Sequence, residues 1–320
     1  MASLINFDKY FANFPQMERE TDFDFFWKNS LIDLKRIAIE PVSHENTRLS
    51  SPRFTVMDIA YKSFGKTAVQ ARLYMPKKRK HPRPVIIIHD YLEATAFKGY
   101  KLETDFAYLF LTLRGHQILK GIDFHNQKKG FEVESPGYMI ENIMDPENYY
   151  LKGVYLDCYR AIDLLRLYKD IDCSSIGVIG KGIGGAAAAF CASSSKRISA
   201  VVLDSLSFAD LPKSQNLAEG PVTTEINDFV SSARGKRKIL RRNLSYFDAV
   251  HFCDRFETPL LMTTGIKSVT APAECIFSFF NASVSCDKTM EIYPDDGESA
   301  GGAHQFKKSL SWLKKMVYIK

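Results

Sequence analysis

The spacing of apolar residues changes character several times along the chain. From Asp22 to Ile39 they recur at helical intervals, with Phe25, Phe26, Ile32, Leu34 and Ile37 as the apolar positions. Phe54 to Tyr61 and Thr67 to Met75 read as a strand pair turning at Phe64-Gly65-Lys66. Pro82-Arg83-Pro84 breaks the chain, and Val85 to His89 then runs apolar without alternation, as a strand buried on both faces does. Phe106 to Leu113 resembles it, and Gln117 to Pro146 shows no period. Tyr149 to Tyr168 is amphipathic at helical spacing, with Val154, Cys158, Ile162, Leu165 and Leu167 in its stripe. Ile176–Ile179, an Ala-rich stretch and Ile198–Leu203 make a strand–helix–strand unit. Mixed helical character follows Pro212 as far as Leu244-Ser245-Tyr246-Phe247-Asp248. Further on, Pro259–Thr264 and Met290–Tyr293 read as strands, and Ala273–Ala282 and Phe306–Val317 as helices. Strands alternating with helices predict an α/β fold with a mostly parallel sheet covered on both faces.

Composition adds few constraints. The 320 residues are 45% hydrophobic and 25% charged, ordinary for a globular protein, and no linker or repeat divides them. The apolar runs are strand-length, short of the roughly 20 residues of a membrane span, and the N-terminus lacks an apolar signal core. Cys158, Cys173, Cys191, Cys253, Cys275 and Cys286 form no C-x-x-C and read as reduced, packed thiols of a cytoplasmic protein. The net charge of +6 is concentrated at Lys77–Lys80 and Arg234–Arg242. No nucleic-acid-binding signature accompanies these runs, so they read as a solvated loop and a solvated helix face. The expectation is therefore no nucleic-acid partner and no membrane partner.

The segment that carries chemistry is Ser174 to Ala189, SSIGVIGKGIGGAAAA. A β-branched strand enters a glycine-rich turn that opens a helix. In that context Gly-x-Ser-x-Gly presents a nucleophilic serine. Here the turn is Gly180-Lys181-Gly182-Ile183-Gly184, and its centre has no side chain. The same residues also spell Gly180-x-Gly182-x-x-Gly185, with Asp204 ending the next strand, which is a dinucleotide-binding pattern of low specificity.

Several landmarks stand in a fixed order: His89-Asp90-Tyr91, Arg114-Gly115-His116, Gly137-Tyr138-Met139 with Asp145-Pro146 and Tyr149-Tyr150, Leu244 to Asp248, and Ile292-Tyr293-Pro294. From about Pro15 to the C-terminus they resemble the acetyl xylan esterase / cephalosporin-C deacetylase family of carbohydrate esterases. The resemblance implies an α/β-hydrolase fold, a single domain over residues 1–320, with residues 1–50 as an N-terminal helical arm packed on it. It also implies a cytoplasmic homo-oligomer, a hexamer, that acts on acetylated sugars or small esters without cofactor or metal.

The family's triad positions fall on Gly182 for serine, Ser268 for aspartate and Glu298 for histidine. The spacing from Pro294 to the last helix is kept, so no shift of alignment supplies a histidine. The oxyanion-hole amides correspond to Tyr91 and Ile183. Gly180, Lys181, Gly184 and Arg114 correspond to the elbow and the rim of the site. With all three reactive side chains absent, the resemblance implies a pseudoenzyme that serves binding or assembly. Two alternatives stay open. One is an active deacetylase using atypical residues, with His304 as a relocated base and Ser205 or Ser207 near the cleft. The other is dinucleotide binding at the elbow. An ion pair of Lys181 with Glu298 is expected at the vacated centre.

Overall fold

The computed structural model describes residues 7–90, 101–116, 137–233 and 235–318. Short helix α1 (Asp8–Phe11) and helix α2 (Phe23–Lys35) precede three antiparallel strands, β1 (Val42–Glu45), β2 (Phe54–Lys62) and β3 (Ala68–Pro76). Strands β4 (Arg83–Ile88) and β5 (Phe106–Leu111) come next, then α3 (Tyr150–Leu165), β6 (Ile176–Lys181), α4 (Ile183–Ser194) and β7 (Ile198–Asp204). Three helices follow, α5 (Leu211–Leu217), α6 (Pro221–Ser232) and α7 (Arg237–Ser245). The chain then runs through β8 (Leu260–Gly265), α8 (Ala273–Ala282), β9 (Lys288–Tyr293) and α9 (Gly302–Tyr318).

One nine-stranded sheet has the order β1-β2-β3-β5-β4-β6-β7-β8-β9. It is antiparallel from β1 to β5 and parallel from β5 onward. The α/β-hydrolase fold expected from the sequence is the fold observed. The segment before residue 50 is not purely a helical arm, because it adds β1 to the sheet edge.

The two-residue period of the strands divides the core. Val85 and Ile87 of β4, with Ile179 and Val202, face Leu310, Leu313 and Val317 of α9. Ile86 and Ile88 face the opposite layer, built by α2, α3, α4 and α8. An aromatic cluster ties that layer together: the Trp27 ring lies 4.4 Å from Phe190 and 5.6 Å from Tyr155, and its indole N–H donates to the Tyr246 carbonyl at 3.0 Å. The buried stripe of α2 is Phe23, Phe26, Trp27, Ser30 and Leu34. Phe25 and Ile32, expected inside, are exposed. Both apolar sets fit a helical period. What selects the face is the aromatic layer beneath it, which only the tertiary fold assembles. Cys286 is likewise exposed, while Cys158, Cys191, Cys253 and Cys275 are buried.

Candidate functional site

Strand β6 lies in the middle of the sheet, and its carboxyl end is where open α/β sheets place ligands. Gly182 stands between β6 and α4 with φ 55° and ψ −121°. Side chains are strained at such positive φ, and nucleophile elbows tolerate that strain to present a serine. The turn is held by backbone bonds: Gly182 N–H donates to Asp204 O at 3.0 Å, and Gly182 O accepts from Gly185 N at 3.0 Å and Ser207 N at 3.2 Å. A Cβ on Gly180 would overlap the Gly184 carbonyl, and one on Gly184 would overlap the Ile88 and His89 carbonyls. Both glycines are therefore required for α4 to approach β6 and β4. The turn thus has the backbone of an elbow with a glycine at its centre.

The space above the elbow is filled from the neighbouring strand end. A Cβ placed on Gly182 would overlap Cγ and both carboxylate oxygens of Asp90. Asp90 Oδ1 accepts the Ile183 N–H at 3.0 Å. Ile183 is the first residue of α4, so a carboxylate here is stabilised both by that amide and by the positive end of the helix. The amide that the resemblance assigns to oxyanion binding thus already holds an internal anion. The family that the landmark His89-Asp90-Tyr91 resembles has His-Gly-Tyr there, so Asp90 stands at a glycine position of that pattern. The missed signal was the exchange of bulk between two adjacent positions: position 182 is empty, and position 90 carries a side chain.

Ser268 and Glu298, which the resemblance places at the other two triad positions, are in contact. Ser268 Oγ donates to Glu298 Oε1 at 3.4 Å and accepts from Ala271 N at 3.2 Å. Glu298 Oε1 also accepts from the backbone amides of Val269 at 3.0 Å and Thr270 at 3.3 Å. Burial works against the Glu298 charge, but these donors outweigh it and hold the carboxyl below its usual range. A glutamate so bound is an acceptor, and it cannot shuttle a proton as an imidazole near neutrality does. The expected Lys181–Glu298 ion pair is absent among the described residues: Glu298 has turned to the loop amides instead.

Asp90, Lys181, Gly182 and Glu298 line a cavity of about 180 Å³. Its walls are largely apolar, with Phe208 and Leu211 at and before α5, Val222 and Ile226 on α6, and Leu244 on α7. The helices after Pro212, which the sequence shows only as mixed helical character, are thus the cap over the elbow. Ser205 and Ser207 also line the cavity. Ser205 has φ 48°, and its hydroxyl lies 3.4 Å from Asp204 Oδ1.

The remaining candidates lie elsewhere. Tyr91 is outside the described residues. His304 is exposed in the first turn of α9 and is not in the cavity lining. Arg114, expected to anchor loops near the rim through carbonyl or carboxylate bonds, is buried. Its guanidinium makes a bidentate pair with Asp157 at 2.7 and 2.6 Å and donates to Phe64 O at 3.3 Å, bracing the sheet against α3. His89 is buried and stacked on Phe110, a core residue. The elbow also argues against a dinucleotide, since Asp90 stands where a pyrophosphate would meet the start of α4. Among the described residues no group of His, Cys, Asp or Glu is arranged to hold a metal ion, and no helix is long and apolar enough to cross a membrane.

A mostly parallel sheet with a strand–elbow–helix at its centre defines an α/β-hydrolase. The family model of acetyl xylan esterase matches residues 3–316, and the chain belongs to that family. It is similar to the acetyl esterase Axe7A of Xylanibacter ruminicola, 24% identical over 311 residues that cover 95% of this chain and 69% of the relative. Among solved structures it resembles the acetyl xylan esterase from Paenibacillus sp. R4, with TM-score 0.83 and 24% identity over 97% of this chain and 98% of that one. It also resembles acetyl xylan esterase 1 from Thermoanaerobacterium sp. JW/SL YS485, with TM-score 0.81 and 19% identity over 98% and 99% of the two chains. At these identities the solved structures speak for the fold.

Proposed function

We propose that this acetyl xylan esterase-family protein is a pseudoenzyme, which uses the hydrolase body to bind a ligand or to assemble and does not turn over esters. The observation that carries the reading is the Asp90 carboxylate, seated on the Ile183 amide in the space a side chain at position 182 would need. Acyl transfer needs an activated hydroxyl, a base within hydrogen-bond reach and a donor for the developing oxyanion. At the elbow there is no hydroxyl, the base position holds an acceptor-bound glutamate, and the donor is taken by an internal anion.

The test is hydrolysis of p-nitrophenyl acetate by the wild-type chain and by Gly182→Ser. The expected rate in both is that of the buffer alone, with no acyl-enzyme burst. A serine at position 182 would crowd against Asp90, whose carboxylate is engaged by the Ile183 amide, and position 298 would offer it no imidazole. Wild-type turnover abolished by His304→Ala or Ser205→Ala would replace this reading with that of an atypical active deacetylase.

Assembly, with itself or with an active paralogue, is the second half of the proposal. Sedimentation of the purified chain is expected to give a homo-oligomer, a hexamer on the family resemblance. A monomer at micromolar concentration would remove that half.

A further inference from the structure

We infer that a groove between the N-terminal segment and α7 binds a hydroxylated anion of sugar size, a sugar acid or a sugar phosphate. The groove has a volume of about 660 Å³, within the roughly 300–1,000 Å³ of small-molecule sites. It is lined by Gln16 and Glu18 to Glu20, by the start of α5 and by α7. Leu211, Gln215 and Leu244 border both this groove and the cavity above Gly182. The groove shares no charged residue with that cavity, so the inference stands whether or not the elbow turns over esters.

The charges select an anion. Helix α7 carries the second basic run of the sequence, which by itself reads as a solvated face. Lys238 and Arg241 stand three residues apart, so they project from one side of the helix, and both line the groove. Arg242 also lines it but is closed by Glu20 at 3.3 Å, and Arg19 is closed by Asp254 at 2.7 Å. Lys238 and Arg241 have no ion pair or hydrogen bond among the described residues. Against these two cations the described lining sets one carboxylate outside an ion pair, that of Glu18. The Arg241 guanidinium can take a carboxylate or a phosphate in two parallel bonds.

His251 adds the demand for a hydroxyl. It is only 3% exposed and lines the same groove. Its Nδ1 lies 2.7 Å from the Ser245 carbonyl, which can only accept, so Nδ1 carries the proton. Nε2 has no hydrogen bond among the described residues and is not sealed from solvent. In the neutral ring it offers a lone pair to a hydroxyl, and in the cation it offers an N–H to an anion. A sugar acid or a sugar phosphate carries both partners. A plain sugar leaves the cations unmet, and a simple anion leaves the neutral ring unmet. Leu211, Pro212, Ile239 and Leu244 supply apolar surface for the C–H face of a sugar ring.

The experiment is isothermal titration of the full chain with glucuronate, glucose 6-phosphate, glucose, acetate and inorganic phosphate. Glucuronate or glucose 6-phosphate is expected to bind about tenfold or more tightly than glucose, the factor expected for one charge-assisted bond. It should also bind more tightly than the simple anion of its own charged group. The tighter of the two anionic sugars tells a carboxylate ligand from a phosphate ligand. Arg241→Gln and Lys238→Gln should each weaken that binding about tenfold. Lys307→Gln, on the exposed face of α9 outside the groove, should leave it unchanged. His251→Asn should narrow the gap between the anionic sugar and the simple anion. His251 is buried, so the exposed Lys238 and Arg241 variants carry the test should His251→Asn fail to fold.

Equal or tighter binding of glucose or of the simple anions would overturn the inference. So would undetectable binding of both anionic sugars at millimolar concentration, or an affinity unchanged in both Arg241→Gln and Lys238→Gln. An equal loss in Lys307→Gln would also overturn it, since that marks diffuse attraction to a basic surface. A short oligonucleotide that displaces the anionic sugar and binds more tightly would assign α7 to nucleic acid instead.

Discussion

The four-site variant Asp90→Gly, Gly182→Ser, Ser268→Asp, Glu298→His should hydrolyse p-nitrophenyl acetate about 10³-fold faster than the background rate expected of the wild-type chain. The magnitude follows from how a triad acts. Its members are strongly non-additive: losing one or all costs roughly 10⁶ in kcat, while the oxyanion hole and binding alone keep about 10³–10⁴ over water. Geometry rebuilt on an unrefined backbone recovers only part of that span, because about 1 Å of misplacement costs about 10²-fold.

The backbone nevertheless suits the repair. Gly182 keeps the positive φ of an elbow. Position 268 already contacts residue 298 and the Ala271 amide, which an aspartate there would accept while orienting a histidine. The decisive control is the three-site variant that keeps Asp90. Its carboxylate stays on the Ile183 amide and opposes a developing oxyanion, so its rate should lie about 10²-fold or more below the four-site variant, the usual worth of one oxyanion donor. Equal rates in the two variants, measured as initial velocities, would show that Asp90 does not block the site. That result would remove the main support for an emptied centre.

How much of this was legible in the sequence depends on the range of the forces involved. The strand–helix alternation and the glycine-rich turn between β6 and α4 follow from local period and spacing, whereas positions 182, 268 and 298 were singled out by the family resemblance alone. The parallel order of β4, β6, β7 and β8 follows from the crossover rule once the helices are assigned. The face of α2 was not legible, since Phe25 and Phe26 satisfy the same period and only the Trp27 cluster chooses between them. The plug at Asp90 was hidden for a similar reason. It lies 93 residues from the amide it occupies, and its meaning appears only when the ends of β4 and β6 are side by side. The cap was missed because α5, α6 and α7 are short and owe their placement over the elbow to contacts with the cavity and the core, which their own periodicity does not specify.

Removing either partner of the Arg114–Asp157 pair should be among the most damaging single substitutions, costing about 3–5 kcal/mol of unfolding free energy. Both side chains are under 5% exposed, and the pair is bidentate. Burial pushes the Asp157 carboxyl upward in pKa, against the pull of the Arg114 guanidinium. Leaving one charge without the other would strand it in an apolar layer. The surroundings permit no retreat: Arg114 also donates to Phe64 O, Tyr150 donates to Arg114 O, and a Cβ on Gly153 would overlap the guanidinium. Urea midpoints should therefore fall steeply for Asp157→Ala, for Arg114→Ala and for Gly153→Ala, each through the same pair. The paired replacement Arg114→Leu/Asp157→Leu should be less destabilised than the single variants combined, because no unpaired charge remains. A loss below about 1 kcal/mol for Asp157→Ala, as for a solvated surface pair, would mean that Arg114 reaches water. It would then belong to the rim, as its place in the sequence first suggested.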